Sequence, residues 1–186
     1  MNGRRVAPFE VSDNSRLMLA LGLGWLASRR GAYLATAESC TGGLASSWMT
    51  AVSGSSRWFE GSVVSYSNGV KMQLLGVRAE TLRANGAVST QVAEEMVLGL
   101  ARISGDRIVD AGVSLTGVAG PGGGSPDKPV GTVCFAWMHG DGRAYSSRQC
   151  FSGSRNQIQL QAAWWGLAGL FALLSRGLVE GQRGPS

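Results

Sequence analysis

The apolar residues of this chain fall into short blocks whose spacing alternates between helix-like and strand-like patterns. The segment RLMLALGLGWLASRR follows the cap-type residues Asp13, Asn14 and Ser15 and precedes Gly31, which predicts a first helix. The next block, AYLATAES, is short and apolar and predicts a strand. The small residues of TGGLASSWMTAV predict a second helix that begins near Thr41.

The middle of the chain continues the alternation. GSVVSYSN predicts a strand that ends in a polar loop carrying Lys71. STQVAEEMVLGLARISG predicts a helix, because Val92, Met96, Leu100 and Ile103 recur at helical spacing. DAGVSLTGVAG predicts a buried strand that runs into the Gly/Pro-rich loop PGGGSPDKP.

The last elements are a hairpin and a long helix. VGTVCFAWM and RAYSSRQCF flank the turn HGDG and predict an antiparallel hairpin, and a helix is expected from about Arg155 to Ser175. Because the hairpin interrupts a βαβ pattern, we expect an α/β fold, a single layered domain with a mixed sheet flanked by helices. The expected boundaries are an N-terminal tail at 1–12, the domain at 13–176 and a C-terminal tail at 177–186.

Composition and charge narrow the classes of function. The chain has 186 residues, 44% of them hydrophobic, and a formal net charge of +5. Its only lysines are Lys71 and Lys128, and the arginines are scattered, so no basic cluster predicts nucleic-acid binding. The positive surface instead favours anionic small molecules. The longest apolar run, 162–174, is short for a membrane span and predicts a buried helix.

Cysteine and histidine usage argues against two kinds of site. Cys40, Cys134 and Cys150 form an odd set with no CxxC pair, which favours a reduced, cytoplasmic protein. The only histidine, His139, lies in the hairpin turn, so neither a histidine triad nor a multi-histidine metal site is expected. The N-terminal segment lacks the apolar core of a signal peptide. We therefore expect a cytoplasmic protein that needs no metal and no cofactor.

The heptapeptide AESCTGG places Ser39, Cys40 and Thr41 between a predicted strand and a predicted helix. Free backbone N–H groups near Thr41 and the positive end of the helix dipole could hold an oxyanion or a phosphate. Gly42 and Gly43 leave room for a ligand to approach the backbone. The alternative is that Ser39 or Thr41 simply caps the helix.

A serine nucleophile needs a base, and lysine is the remaining candidate once the histidine is excluded. Lys71 lies five residues after Tyr66, just beyond a predicted strand end. It can act as a base only if burial or nearby positive potential lowers its pKa. Tyr66 could relay the proton or hold the amine. The alternatives are a solvated lysine and a tyrosine packed at the sheet edge.

Cys40 is a rival nucleophile, because a cysteine at a helix N-terminus tends toward the thiolate. It has no imidazole partner, however. Adjacent side chains of an extended chain point to opposite faces, so Ser39 and Cys40 cannot both face one pocket. The residue pattern therefore favours Ser39.

Two further segments could bind phosphate. The loop TGVAGPGGGSPDKPVG contains Thr116, Gly117, Gly120 and Ser125, but it matches neither GxGxxG nor GxxxxGK[ST]. In FSGSRNQ, Arg155 lies at a predicted helix start, where its guanidinium and the helix N–H groups would favour a phosphate. The alternative for this arginine is simple exposure to solvent.

Read together, AESCTGG, WFEGSVVSYSNGVK, GAVS, LTGVAGPGGGSPDKPVGTV and CFSGSR closely resemble the CinA C-terminal domain family over about residues 13–175. The resemblance implies a bacterial hydrolase of pyridine nucleotide recycling that converts nicotinamide mononucleotide into nicotinate mononucleotide and ammonia. It also implies a metal-free serine and lysine mechanism in which Ser39, Tyr66 and Lys71 are the acting groups.

The expected substrate is thus a small phosphorylated pyridine nucleotide. Its oxyanion and substrate contacts are expected from eight residues: Thr41, Gly42, Gly43, Thr116, Gly117, Gly120, Ser125 and Arg155. We further expect a homo-oligomer, a dimer in the first instance, with no nucleic-acid or membrane partner.

Two features depart from the family pattern. Many relatives carry an acidic residue where this chain has Ser154, and many carry an N-terminal companion domain, so the chain resembles the stand-alone form. Two other functions stay open. One is a nucleotide-sensing or partner-binding module in which Lys71 remains protonated, and the other is a cysteine hydrolase that uses Cys40.

Overall fold

Six strands in one sheet and six α-helices form the part of the chain that the computed structural model describes, residues 4–103, 107–140 and 142–180. The strands are β1 (Arg4–Arg5), β2 (Leu34–Glu38), β3 (Phe59–Val64), β4 (Ala111–Gly117), β5 (Thr132–His139) and β6 (Ala144–Cys150). The helices are α1 (Asp13–Arg30), α2 (Leu44–Thr50), α3 (Asn68–Leu75), α4 (Ala79–Asn85), α5 (Thr90–Leu98) and α6 (Arg155–Glu180). Short 3-10 helices lie at Ser55–Arg57 and Gly99–Arg102.

The sheet is mixed, in the order β1-β6-β5-β4-β2-β3. Strand β2 runs parallel to β3 and β4, whereas β5 runs antiparallel to β4 and β6, which confirms the predicted hairpin. Glu38 pairs in register with Val64 and Leu115, so the carboxyl ends of three parallel strands meet at one edge. Ligand sites of open α/β sheets lie at such an edge.

Helices cover both faces of the sheet, as the alternation of side chains along β5 shows. Val133 and Phe135 pack into a cluster with α1, α2 and α6, and Cys134 and Ala136 pack into a second cluster with α5. Successive strand residues point to opposite faces, so one strand contributes to two cores. The predicted layered α/β domain with helices flanking a mixed sheet is therefore confirmed.

The start of α2 differs from its prediction. The helix begins at Leu44 and not near Thr41, because Gly42 and Gly43 adopt positive φ angles of 66° and 96°. The two glycines form a turn between β2 and α2. Residues other than glycine rarely adopt this left-handed backbone conformation without strain.

The surroundings of Lys71 also differ from the prediction of a polar loop. Lys71 lies in the first half of α3, and that helix is capped by Ser67, whose side-chain oxygen accepts a hydrogen bond from the N–H of Val70. The helix ends at Gly76 in the left-handed conformation. Ser67 and Gly76 are cap signals that the sequence contained and that our prediction did not use.

Helix α4 was not predicted, and α5 is shorter than expected. The latter ends at Leu98, and the chain continues as a 3-10 helix from Gly99. A Cβ at Gly99 would lie 2.1 Å from the carbonyl oxygen of Leu75. Only glycine therefore lets the backbone pass this close to the end of α3.

The two chain ends also differ in part from expectation. In the segment predicted as an N-terminal tail, β1 pairs with β6, and Val6, Phe9 and Val11 pack against the core. Helix α6 extends to Glu180, beyond the expected end near Ser175. The remainder of the predicted C-terminal tail, 181–186, lies outside the described residues.

Among the described helices, α6 alone is long and apolar enough over Arg155–Arg176 to cross a membrane, by length and composition only. A core helix can have the same length and composition, and α6 contributes Ile158, Ala162, Leu167 and Leu170 to the core. This packing agrees with the predicted buried helix.

Candidate active site

Ser39 directly follows β2 at the edge where the parallel strands end. Its backbone N–H donates to the carbonyl oxygen of Leu115 at 2.9 Å, and its own carbonyl accepts from the N–H of Gly42 at 3.1 Å. The residue is only 7% exposed. Both sides of its peptide backbone are therefore fixed before any ligand binds.

Lys71 reaches Ser39 from α3, the helix that follows the neighbouring strand. Its Nζ lies 2.9 Å from Oγ of Ser39, 2.6 Å from the carbonyl oxygen of Ser65 and 3.3 Å from that of Tyr66. The lysine is 1% exposed, which is rare for this residue type. The structure thus brings together two residues that lie 32 positions apart and that sequence analysis had paired.

The environment of Lys71 favours loss of its proton. Burial lowers the pKa of the Lys71 ammonium below its ordinary value of 10.5 and outweighs an opposing interaction with Cys40. A neutral amine has two N–H groups, which the carbonyls of Ser65 and Tyr66 can accept. The nitrogen lone pair is then left for the hydroxyl proton of Ser39.

Cys40 has the opposite environment. Its thiol belongs to the hydrophobic core, with 5% exposure, and burial raises its pKa to about 12. A thiol with that pKa holds its proton near neutral pH, so it is a poor nucleophile. These observations weaken the alternative of a cysteine hydrolase.

Thr41 and Gly43 have a different partner from the one that sequence analysis expected. The Thr41 hydroxyl donates to the carboxylate of Glu38 at 2.7 Å, and the N–H of Gly43 donates to the same group at 3.1 Å. The N–H of Gly42 is engaged by Ser39. Of these three residues, only Thr41 has a backbone N–H with no acceptor in the described part of the chain.

Sequence reasoning missed Glu38, the residue before Ser39, whose carboxylate is buried at this edge of the sheet. An acidic residue at the end of an apolar strand was visible in AESCTGG, yet nothing in the sequence shows that five donors converge on it.

The Gly-rich loop forms the wall opposite Ser39. A cleft of about 240 Å³ is lined by Ser39, Cys40, Tyr66, Lys71, Ala87, Val88, Thr116, Gly117, Val118, Ala119, Gly120, Gly122, Gly123 and Arg155. The Thr116 hydroxyl, near the end of β4, donates to the carbonyl of Ala87, which ties this strand to the segment before α5. Ser125 lies outside the lining, in a turn where it bonds with Lys128.

Arg155 closes one end of the cleft at the start of α6. Its guanidinium donates to the carbonyl oxygen of Gly120 at 2.6 Å and to the hydroxyl of Tyr66 at 3.3 Å. The Tyr66 side chain is 65% exposed, and the part of Tyr66 that contacts Lys71 is its backbone carbonyl. A proton relay through the Tyr66 hydroxyl was expected, but the structure shows that hydroxyl bonded to Arg155 and not to Lys71 or Ser39.

In the described ranges, no three His, Cys, Asp or Glu side chains are grouped as metal ligands. A larger cavity of about 610 Å³ lies between residues 8–11 and the start of α6, but it contains none of the nucleophile or base candidates.

The family model of the CinA C-terminal domain matches residues 18–174. The chain belongs to this family. It is 44% identical over 161 residues to the nicotinamide-nucleotide amidohydrolase PncC of Escherichia coli strain K12, covering 87% of this chain and 96% of that protein. It is 47% identical over 156 residues to the protein of the same name from Pseudomonas putida, covering 83% and 94%.

The fold has a close match among solved structures. The competence/damage inducible protein CihA of Agrobacterium tumefaciens superposes with a TM-score of 0.82 at 36% identity, covering 89% of this chain and 99% of that one. The resemblance inferred from five sequence motifs is therefore confirmed.

Proposed function

We propose that this chain hydrolyses the carboxamide of nicotinamide mononucleotide to nicotinate mononucleotide and ammonia, in pyridine nucleotide recycling. The observation that carries the proposal is the 2.9 Å contact between Oγ of Ser39 and the buried Nζ of Lys71. Family membership and the names of the relatives, nicotinamide-nucleotide amidohydrolases, support the choice of substrate.

In the proposed mechanism, neutral Lys71 takes the hydroxyl proton of Ser39 while Oγ forms a bond to the carboxamide carbon. Protonated Lys71 then gives that proton to the leaving nitrogen, the C–N bond breaks, and ammonia departs. Water, deprotonated by Lys71, cleaves the resulting ester and regenerates Ser39. The N–H of Thr41 is the candidate oxyanion donor, and one such donor typically contributes about 3 kcal/mol.

The phosphate of the substrate is proposed to bind at the Arg155 end of the cleft. The guanidinium already bonds one backbone carbonyl there, at Gly120, and a phosphate offers stronger, charge-assisted acceptors. Gly117, Gly120 and Thr116 lie along the same wall. The net charge of +5 would favour the approach of an anionic substrate.

One observation favours the alternative of a nucleotide-sensing module. Three oxygens lie within 3.3 Å of Nζ of Lys71, and a charged ammonium has three N–H groups to give them. A permanently charged Lys71 would hold Ser39 without activating it, so nucleotide would bind without reacting.

Ammonia release from nicotinamide mononucleotide separates the two functions. We expect turnover by the wild-type chain in the presence of a metal chelator and none by Ser39→Ala. Nucleotide binding by both proteins with no ammonia from either would support the sensing module and overturn the proposed hydrolysis.

A further inference from the structure

Glu38 is a buried carboxylate next to the candidate nucleophile, and the mechanism above gives it no task. It is fully buried, at 0% exposure, and it is the last residue of β2. Removing a charged group from water is costly unless hydrogen bonds replace the lost hydration. The hydrogen bonds that the Glu38 carboxylate accepts therefore indicate its role.

Five donors surround the Glu38 carboxylate. Oε2 accepts from the Thr41 hydroxyl at 2.7 Å and from the N–H groups of Gly43 and Ala45 at 3.1 Å each. Oε1 accepts from the N–H of Ser46 at 2.8 Å and from the Thr36 hydroxyl at 3.3 Å. A carboxylate that accepts from every direction suits the ionised, acceptor-only form.

Three of these donors are backbone N–H groups at the turn and first residues of α2. Such groups have no partner within a helix and attract anions. Because Glu38 already bonds the N–H groups of Gly43, Ala45 and Ser46, the protein's own carboxylate fills the place that a ligand anion would otherwise take. These three N–H groups are therefore not free to bind the phosphate or the oxyanion of a substrate.

We propose that Glu38 is a positioning residue for Ser39. The carboxylate holds both ends of the turn that follows Ser39, so it fixes the direction of Oγ toward Lys71 and leaves the N–H of Thr41 unpaired. The lowered pKa of Lys71 follows from burial. Glu38 thus acts through geometry and not through the proton balance of the base. This inference rests on the proposed function.

The main test replaces Glu38 by glutamine. In Glu38→Gln one carboxylate oxygen becomes an NH2 group, so at least two of the five donors lose their acceptor. Two rates are measured: covalent labelling of Ser39 by a fluorophosphonate probe, and ammonia release from nicotinamide mononucleotide. We expect both rates to fall by about 100-fold, as misplaced reacting groups typically cause. KM should stay within about threefold, and the pH at which the labelling rate rises should not move.

Glu95→Gln is the matched control. The carboxylate of Glu95 likewise holds a helix start, accepting from the N–H of Arg78 at 2.8 Å and from the hydroxyl of Thr81 at 2.7 Å, but it lies outside the cleft lining. A purely structural role of the Glu38 carboxylate would leave the labelling rate unchanged in both variants, whatever stability each one loses. We expect labelling of Glu95→Gln to stay within about twofold of wild type.

A second variant keeps the test valid if Glu38→Gln does not fold. Thr41→Val removes one of the five donors, and we expect about tenfold slower labelling, with Thr41→Ser recovering most of it because the hydroxyl returns.

Labelling within about threefold of wild type in a folded Glu38→Gln or Thr41→Val protein would overturn the proposal, as would a shift of the pH profile by a full unit. Wild-type labelling without ammonia release would refute the proposed substrate alone, and the labelling rates would still decide the role of Glu38. A wild-type protein that is not labelled at all would refute both.

Discussion

The two walls of the cleft are built in different ways. The wall that carries Ser39 and Lys71 belongs to the core, with side chains 7% and 1% exposed. The opposite wall is the Gly-rich loop, whose residues 121–127 are exposed. The core wall holds Ser39 and Lys71, which must be aligned with each other to react. The loop wall offers backbone groups that can bind a ligand without such exact alignment.

Long cationic side chains tie the loop wall to other elements. Lys128 donates to the carbonyl of Asn85 at 2.6 Å, Arg155 to that of Gly120 at 2.6 Å, and Arg148 to that of Asp127. Such contacts at a partly exposed surface are weaker than those of a packed core. Changes on the core wall should therefore lower kcat, and changes on the loop wall should raise KM.

The largest effect should come from the nucleophile on the core wall. Ser39→Ala is expected to lower kcat by about 10⁴-fold or more, because a unit of interdependent catalytic groups fails when one member is lost. Cys40→Ala should keep kcat within about tenfold, since its thiol is buried and protonated. Both are measured by ammonia release, with circular dichroism to verify folding. A folded Cys40→Ala that is inactive beside an active Ser39→Ala would reverse the assignment.

An intermediate effect should come from the loop wall. Arg155→Lys keeps the charge but loses the planar guanidinium that bonds Gly120 and Tyr66 together. We expect KM to rise by about tenfold and kcat to change by less than threefold. Arg83→Lys, at a surface ion pair with Glu80, is the control and should leave both constants unchanged. If Arg155→Lys lowers kcat and spares KM, the distinction between the walls fails.

The smallest effect concerns stability, and its sign follows from burial of Lys71. The folded state lowers the pKa of Lys71 below 10.5, so between that lowered value and 10.5 the unfolded chain binds more protons. The free energy of unfolding should then rise with pH, by at most about 1.4 kcal/mol per pH unit. Below the lowered pKa this contribution has no slope.

Urea denaturation at a series of pH values measures this slope. Lys71→Met should remove it, whereas Lys128→Met, at the half-buried lysine of the loop wall, should retain it. An unchanged slope in Lys71→Met would mean that Lys71 does not lose its proton within the folded protein.

The comparison of the two walls also explains what could be predicted from sequence. Short apolar blocks, turn residues and helix-cap residues located β2, β4, the hairpin and α1, because these signals are local. The small choice of bases made Lys71 a candidate partner for Ser39, and the resemblance to the CinA C-terminal domain family implied the pair. The burial of Lys71 could not be predicted, because it depends on how α3 packs against the end of β2.

The missed features share one cause. Thr41 and Gly43 were assigned to the ligand because a helix start attracts anions, and that reasoning could not reveal that Glu38 fills the site itself. Likewise, the sequence places Ser125 in the same loop as Gly120, and only the turn with Lys128 directs it away from the cleft.

The most direct test of the account is the pH dependence of single-turnover ammonia release by wild type and Lys71→Arg. A neutral lysine is the proposed base, and arginine stays charged under ordinary conditions. The account predicts a wild-type rate that rises with pH through the lowered pKa of Lys71, and a folded Lys71→Arg protein at least about 10³-fold slower at every pH. Turnover near the wild-type rate by folded Lys71→Arg would contradict it and remove Lys71 from the role of base.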